Sequence, residues 1–246
     1  MAPLTAWPAA PAVLELPGLD VHVWRANLDL EKWRLEQLHK VLSADEQAKA
    51  ARFHFEKDRN HYTAARGILR TLLGRYLALE PAEIRLSYNA HGKPELTSAL
   101  KDSDFRFNVT HSHGLALFGF NLGRDIGIDL EFIRPDFATD EIAARFFAPA
   151  EVAVLSSLAK QDRARAFFNC WTRKEAFVKA RGIGLSLGLD QFVVSLAPGE
   201  PPALLHAKND LQAGNRWTLR ELEAGEEFAA ALAVEGKGWG LRCWRF

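Results

Sequence analysis

FRFNVTHSHGLALFGFNLGRDIGIDLEF, residues 105–132, is the stretch from which the rest of the chain is read. It holds three short apolar and β-branched runs: Phe105 to Val109, Leu115 to Phe120 and Ile126 to Phe132. Turn signals separate them at His113-Gly114 and Asn121-Leu122-Gly123, so the spacing predicts an antiparallel meander. Helical patterns lie on both sides. Ser43-Ala44-Asp45-Glu46 has the form of a capping box that opens a helix. Asp58 to Leu79 repeats apolar residues at Ala65, Ile68, Leu69, Leu72, Leu73 and Tyr76 and stops before Pro81. Ile84 to Tyr88 reads as a short strand and Asn89 to Pro94 as a loop.

Downstream, helices are predicted over Asp140 to Phe147, Ala150 to Ala159 and about Asp162 to Ala180. Strands follow at Phe192 to Leu196, Trp217 to Glu223, Phe228 to Val234 and Leu241 to Phe246. Helices, strands, helices, strands is the order of an α+β protein in two halves. The division falls near Gly123 to Ile126, giving residues 1–124 and 125–246. An internal echo points to duplication: Leu42 to Glu46 and Phe147 to Glu151 both open helices, and Asp58-Arg59 and Asp162-Arg163 both precede long ones.

With 246 residues, 48% of them hydrophobic, the chain can bury one large core or two small ones. Basic and acidic residues both number 31, and a general nucleic-acid binder would carry a basic excess. No segment approaches the ~18 uninterrupted apolar residues of a membrane span. Met1 to Leu14 has no basic residue ahead of an apolar core and does not read as a signal peptide. Cys170 and Cys243 are the only cysteines and form no C-x-x-C pair, which fits reduced, buried thiols in a cytoplasmic protein. Charge is unevenly spread: Lys49, Arg52, Lys57, Arg59, Arg66, Arg70 and Arg75 face only Glu56 and Asp58 between Gln47 and Leu79. That is either a solvated helix face or a seat for an anionic ligand.

Four short segments carry chemistry. In Gly127-Ile128-Asp129-Leu130-Glu131-Phe132 the two carboxylates share one strand face, about 6–7 Å apart along the strand. A wet strand face gives the same alternation, but two adjacent carboxylates also invite a hard divalent cation. In Trp171-Thr172-Arg173-Lys174-Glu175-Ala176-Phe177-Val178-Lys179, the residues Trp171, Glu175 and Lys179 share one helix face. Apolar neighbours on every side (Phe167, Phe168, Cys170, Ala176, Phe177, Val178) mean that these charges need partners. Together the strand and the helix can hold Mg²⁺ against a pyrophosphate. Thr110, His111 and Ser112 at a hairpin tip offer donors to phosphate. His111-Ser112-His113 is a poor metal pair, because no other His or Cys lies at ligand spacing. Gly92-Lys93-Pro94 is a loop presenting one lysine. There is no Walker loop and no nucleophile elbow, and Gly182-x-Gly184 follows a helix instead of opening one.

In their order and spacing these segments resemble the large, Sfp-type 4′-phosphopantetheinyl transferases. The G-x-D-x-E strand is Gly127 to Glu131, and W-[S/T]-x-K-E-[A/S]-x-x-K is Trp171 to Lys179 without a mismatch. The G-K-P loop is Gly92 to Pro94, F-N-x-[S/T]-H is Phe107 to His111, and the G-x-G-L-S tail is Gly182 to Ser186. The resemblance runs from about Ser43 to Phe192 and implies two similar α+β halves related by a pseudo-twofold axis, with coenzyme A in the cleft between them. Carried over by position, Asp129, Glu131 and Glu175 would ligate Mg²⁺ and Lys179 would contact the pyrophosphate. Lys93, Thr110 and His111 would hold coenzyme A, with His111 near its 3′-phosphate. A lysine that the family often places early in its helix is replaced by Glu46, leaving Lys49, Arg59 and Arg66 for the nucleotide phosphates. The implied reaction is attack by the serine hydroxyl of an apo acyl or peptidyl carrier protein on the pantetheine-side phosphorus, releasing 3′,5′-ADP. Glu175 is the first choice of base and Glu131 the second. The proposed groups all lie in one chain, so an active monomer is expected, without nucleic acid or membrane. A Mg²⁺-dependent phosphodiesterase acting on pantetheinylated carrier could use similar residues. A non-catalytic binding module would be expected to lack at least one carboxylate, and none is missing.

Overall fold

The apolar run 115–120 has no polar face to give to water, and both sides of the strand it opens, Leu115–Leu122, are covered in the folded chain. The computed structural model describes residues 7–97, 104–184, 187–208 and 210–246. The first half runs β1 (Asp20–Asn27), α1 (Lys32–Lys40), α2 (Ala44–Ala51), α3 (Glu56–Leu77), β2 (Leu86–Tyr88), β3 (Pro94–Leu96), β4 (Phe105–Ser112) and β5 (Leu115–Leu122). The second continues with β6 (Ile126–Phe132), α4 (Asp140–Phe146), α5 (Pro149–Ser157), α6 (Lys160–Arg181), β7 (Phe192–Val194) and β8 (Leu204–Ala207). It ends with α7 (Ala213–Arg216), β9 (Trp217–Glu221), β10 (Phe228–Glu235) and β11 (Gly240–Arg245).

The architecture is α+β, as expected, but the meander is not formed. β4 and β5 make an antiparallel hairpin, whereas β6 leaves that sheet and pairs with β10. The two main sheets have the orders β11-β1-β5-β4 and β6-β10-β9. Coverage of β5 on both faces explains the change. Ala116, Phe118 and Phe120 pack with Ile68, Leu69 and Leu72 of α3. On the other side Leu115 and Leu117 meet Ile128 and Leu130 of β6 and Leu232 of β10. Gly119 keeps that contact close, since a Cβ there would lie 3.0 Å from Ile126 Cδ1. The outer face of the second sheet, with Ala229, Ala231 and Ala233, packs on Phe177 and Ala176 of α6. The layers are therefore α3, sheet, sheet, α6. Sequence periodicity did not anticipate β1 or α1. Nor did it anticipate that β11 would cross the division at 124/125 to pair in parallel with β1.

The echo between the halves has a physical basis. Glu46, at the third position of α2, accepts the Ser43 amide at 3.1 Å and Arg70 Nε of α3 at 2.6 Å. Arg70 Nη1 donates onward to the carbonyls of Pro81 (3.0 Å) and Ile84 (2.9 Å). Glu151, at the third position of α5, accepts the Ala148 amide at 2.8 Å and lies 2.7 Å from Lys174 Nζ of α6. Lys174 in turn donates to the carbonyls of Leu189 and Phe192, both at 2.6 Å. In each half, then, a buried carboxylate caps a short helix and is neutralised by a base on the long helix, which also satisfies the following loop. Glu46 is thus a buried structural acid and presents no charge to a ligand.

Removing one partner of such a pair strands a buried charge. Arg70→Met is expected to cost about 3–5 kcal/mol in urea unfolding, and the double variant Glu46→Leu/Arg70→Met distinctly less. Equal losses in the two would contradict a neutralising role for Arg70.

Candidate active site

β4 and β6 are edges of different sheets, so the amides on their facing sides have no ladder partner. Side chains supply one. Asn108 Oδ1 accepts the Ile128 amide at 2.8 Å, and Ser112 Oγ accepts the Phe132 amide at 3.2 Å. Between these contacts, Thr110 Oγ1 donates to Asp129 Oδ1 at 3.3 Å, and Ser112 Oγ donates to Glu131 Oε2 at 3.1 Å. Asn108, Thr110 and Ser112 of β4 therefore meet Ile128, Asp129, Glu131 and Phe132 of β6 in the same chain direction. A polar seam joins the two halves.

The opposite side of the seam is α6. A Cβ on Gly127 would lie 2.0 Å from Ala176 O and 2.3 Å from Ala180 N, so only glycine lets the helix backbone rest on β6 there. This approach brings Lys179 Nζ to 2.6 Å from Asp129 Oδ1 and 3.3 Å from Thr110 Oγ1. Asp129 is only 3% exposed, and its Oδ2 is buried with no hydrogen-bond partner among the described residues. Burial first, and then the charge of Asp129, push the carboxyls of Glu131 and Glu175 above their ordinary range, while Lys179 opposes the shift.

Asp129, Glu131 and Glu175 feel one another's charge, and carboxylate oxygens are the ligand type that a hard divalent cation takes. In that sense the residues fit Mg²⁺. They are not drawn together around a point: among the described residues, no group of three or more His, Cys, Asp or Glu is spaced to hold a metal ion. Lys179 supplies the positive charge beside Asp129.

His111 sits on the α3 side of the seam, in part open to solvent and in part covered. The protein packed around it lowers its pKa from the usual imidazole value, as do the charges of Lys179, His61 and Arg66. Arg66 donates to Tyr88 Oη at 3.0 Å and lies 5.8 Å from the Tyr62 ring, which Lys49 approaches at 5.5 Å. His61 Nε2 is held by Asp29 Oδ1 at 2.7 Å. Sequence reading missed Tyr62, Tyr88, His61 and Asp29; the i, i+4 spacing of Tyr62 and Arg66 on α3 was the available signal. Arg59 lines a separate cavity of about 490 Å³ with His39, Glu56 and Asn60.

A cleft of about 250 Å³ opens between the halves, lined by His91, Lys93, Asn108, Glu175, Lys179 and Gly184. Lys93 Nζ does not point freely into it, because it donates to Ile126 O at 3.0 Å and Lys179 O at 2.8 Å. Gly182 ends α6 in the left-handed region, at φ 64°. Leu185 and Ser186 of the G-x-G-L-S tail lie outside the described residues. Both cysteines are free and buried, and among the described residues no helix is long and apolar enough to cross a membrane.

Two family models match the chain: "4′-phosphopantetheinyl transferase, N-terminal" over residues 27–118 and "4′-phosphopantetheinyl transferase superfamily" over residues 125–233. The 4′-phosphopantetheinyl transferase HetI of Nostoc sp. is 40% identical over 240 residues, covering 98% of each chain. The 4′-phosphopantetheinyl transferase Sfp of Bacillus subtilis is 32% identical over 161 residues, 65% of this chain and 69% of that one. Among solved structures, a holo-(acyl-carrier-protein) synthase from Bacillus anthracis in complex with CoA (3′,5′-ADP) is 24% identical. It covers 46% of this chain and 96% of its own at a TM-score of 0.37, a likeness too partial to carry an argument. The chain belongs to the 4′-phosphopantetheinyl transferase superfamily. Transfer of phosphopantetheine from coenzyme A to a carrier protein is the activity that membership gives it.

The fit at Gly127 yields a direct test. Gly127→Ala must push α6 off β6, separating Lys179 and Glu175 from Asp129. Transfer by the folded variant is expected to fall by about 10²-fold, the usual cost of misplacing reacting groups by roughly 1 Å. Transfer at the wild-type rate would show that the close contact does not set the site.

Proposed function

We propose that the seam between β4, β6 and α6 is a Mg²⁺-dependent transfer site. There a carrier-protein serine attacks the pantetheine-side phosphorus of coenzyme A. The observation that carries this reading is Asp129: buried, bridged by Lys179 and Thr110 on one oxygen and, among the described residues, unpartnered on the other. The serine Oγ–P bond forms as the P–O bond to 3′,5′-ADP breaks. Glu175 takes the serine proton, with Glu131 as the second choice; burial and the charge of Asp129 raise the proton affinity of both. Lys179, set between Asp129 and Thr110, is placed to turn its ammonium to the pyrophosphate and stabilise charge on the leaving oxygens. Asp129, Glu131 and Glu175 would hold Mg²⁺, which when bound supplies further neutralisation of the pyrophosphate.

Thr110 and His111 supply the inner phosphate contacts, with Arg66 and Lys49 behind them around Tyr62. His111 is assigned to the 3′-phosphate. Every one of these groups comes from a single chain, which supports action as a monomer. The basic residues near the cleft favour encounter with an acidic acyl or peptidyl carrier protein, an attraction that salt weakens over a Debye length of about 8 Å. Cytoplasmic action fits a pool of coenzyme A and two free, buried thiols.

Asp129→Ala or Glu175→Ala is expected to abolish transfer in limiting Mg²⁺ while the purified variant stays folded by circular dichroism. Near-normal turnover by either would remove the metal assignment. His111→Ala is expected to weaken coenzyme A by about 1.5–3 kcal/mol in calorimetry, and dephospho-coenzyme A far less. Equal weakening of the two ligands would place His111 away from the 3′-phosphate. In the same assays, release of phosphopantetheine from holo-carrier without transfer would mark a phosphodiesterase instead.

A further inference from the structure

Lys93 belongs to the first half, in the loop between β2 and β3, yet its ammonium donates only to the second half in the contacts described above. Its two acceptors are the carbonyls of Ile126, at 3.0 Å, and Lys179, at 2.8 Å. Ile126 opens β6 three residues before Asp129, and Lys179 stands one turn beyond Glu175 in α6. One ammonium thus ties the root of the strand bearing two carboxylates to the end of the helix bearing the third.

The rest of the loop grips the same helix end. Asn89 Oδ1 accepts the amides of His91 at 2.9 Å and Lys93 at 3.0 Å, which shapes the loop. Its Nδ2 donates to Gly182 O at 3.2 Å. His91 packs on Gly184, where a Cβ would come within 2.9 Å of the ring. The last carbonyls of a helix lack intrahelical donors, so they are natural anchors for such a clamp. Two of the three N–H bonds of the ammonium are spent on backbone oxygens, and a group so committed is poorly free to follow a phosphate. Burial pulls the Lys93 amine below the ordinary lysine value, with Asp125 and then Glu95 opposing the shift.

We propose that Lys93 is a positioning residue for transfer. It fixes the distance between β6 and the C-terminal turn of α6, and with Asn89 it determines where Glu175 and Lys179 stand against Asp129. This rests on the roles given above to those three residues, and it departs from the direct coenzyme A contact that the family resemblance implies for Lys93.

Lys93→Met keeps the length of the side chain and removes its donors. Clamp action predicts a loss in kcat of at least about tenfold, by the cost of misplaced reacting groups. The Kd for coenzyme A, measured by calorimetry, should move by less than about threefold, since no ligand contact is lost. Asn89→Ala should lower kcat in the same direction by a smaller factor. The double variant should lose less than the product of the two, because both side chains hold one element. A rise in Kd of tenfold or more with kcat unchanged at saturating coenzyme A would overturn the proposal in favour of direct contact. Wild-type values for both constants would overturn it as well. Should Lys93→Met fail to fold, Asn89→Ala decides alone, and an unchanged kcat refutes the clamp. Wild-type enzyme and Asp129→Ala run in parallel keep the two readings apart. Full activity in Asp129→Ala, or none in wild type, faults the site assignment and not the clamp.

Discussion

Two sheet edges that face each other without a backbone ladder must find other hydrogen-bond partners, and this protein meets that requirement with the side chains of one strand. Asn108, Thr110 and Ser112 of β4 reach the amides and carboxylates of β6 at distances of 2.8–3.3 Å. A continuous ladder would have merged the sheets and left no polar side chains on the seam. Its absence places hydroxyls, an amide and two carboxylates in a line between the halves, with α6 packed against β6 at Gly127. Gly127 completes the arrangement, since the helix backbone rests where a side chain would stand. Lys179 and Asp129 are carried by a helix and a strand, and the packing of one on the other brings them to 2.6 Å.

Stability and function are kept apart in the use of charge. Glu46 with Arg70, and Glu151 with Lys174, are closed units: each carboxylate has a base, and each base has spare donors for nearby carbonyls. Such pairs contribute little net stability but are costly to break singly. The seam is the reverse case. Among the described residues Asp129 keeps one oxygen without a partner, and the carboxyl pKa values of Glu131 and Glu175 are raised by burial and by Asp129. A site left electrostatically incomplete by the protein is one that a ligand or ion is positioned to complete.

Much of the site was legible because its residues are local in sequence. The alternation of Gly127 to Glu131 put both carboxylates on one strand face, and the four-residue spacing of Glu175 and Lys179 put them on one helix face. The echo of Leu42 to Glu46 in Phe147 to Glu151 was legible for the same reason, since a capping acid at the third helical position is a short-range pattern. What periodicity could not supply was long-range pairing. The turn at Gly123 is equally compatible with a third meander strand and with a step to another sheet. Only the double coverage of β5 decides between them. The pairing of β1 with β11, the burial of Glu46 and the use of the Lys93 ammonium on carbonyls 33 and 86 residues away all depend on tertiary contacts. Arg59 was chosen by charge alone, and the helix turns it into a different cavity.

The claim on which the rest depends is that the side-chain seam, and Asn108 in particular, holds the carboxylate strand where transfer requires it. Intact-protein mass spectrometry tests this by following an apo acyl carrier protein with coenzyme A and Mg²⁺, using wild-type enzyme and Asn108→Ala side by side. The expected result is addition of one phosphopantetheine per carrier by the wild type, and a rate about 10²-fold lower for the folded variant, the scale of a displaced reacting group. Modification by Asn108→Ala at the wild-type rate would contradict the account.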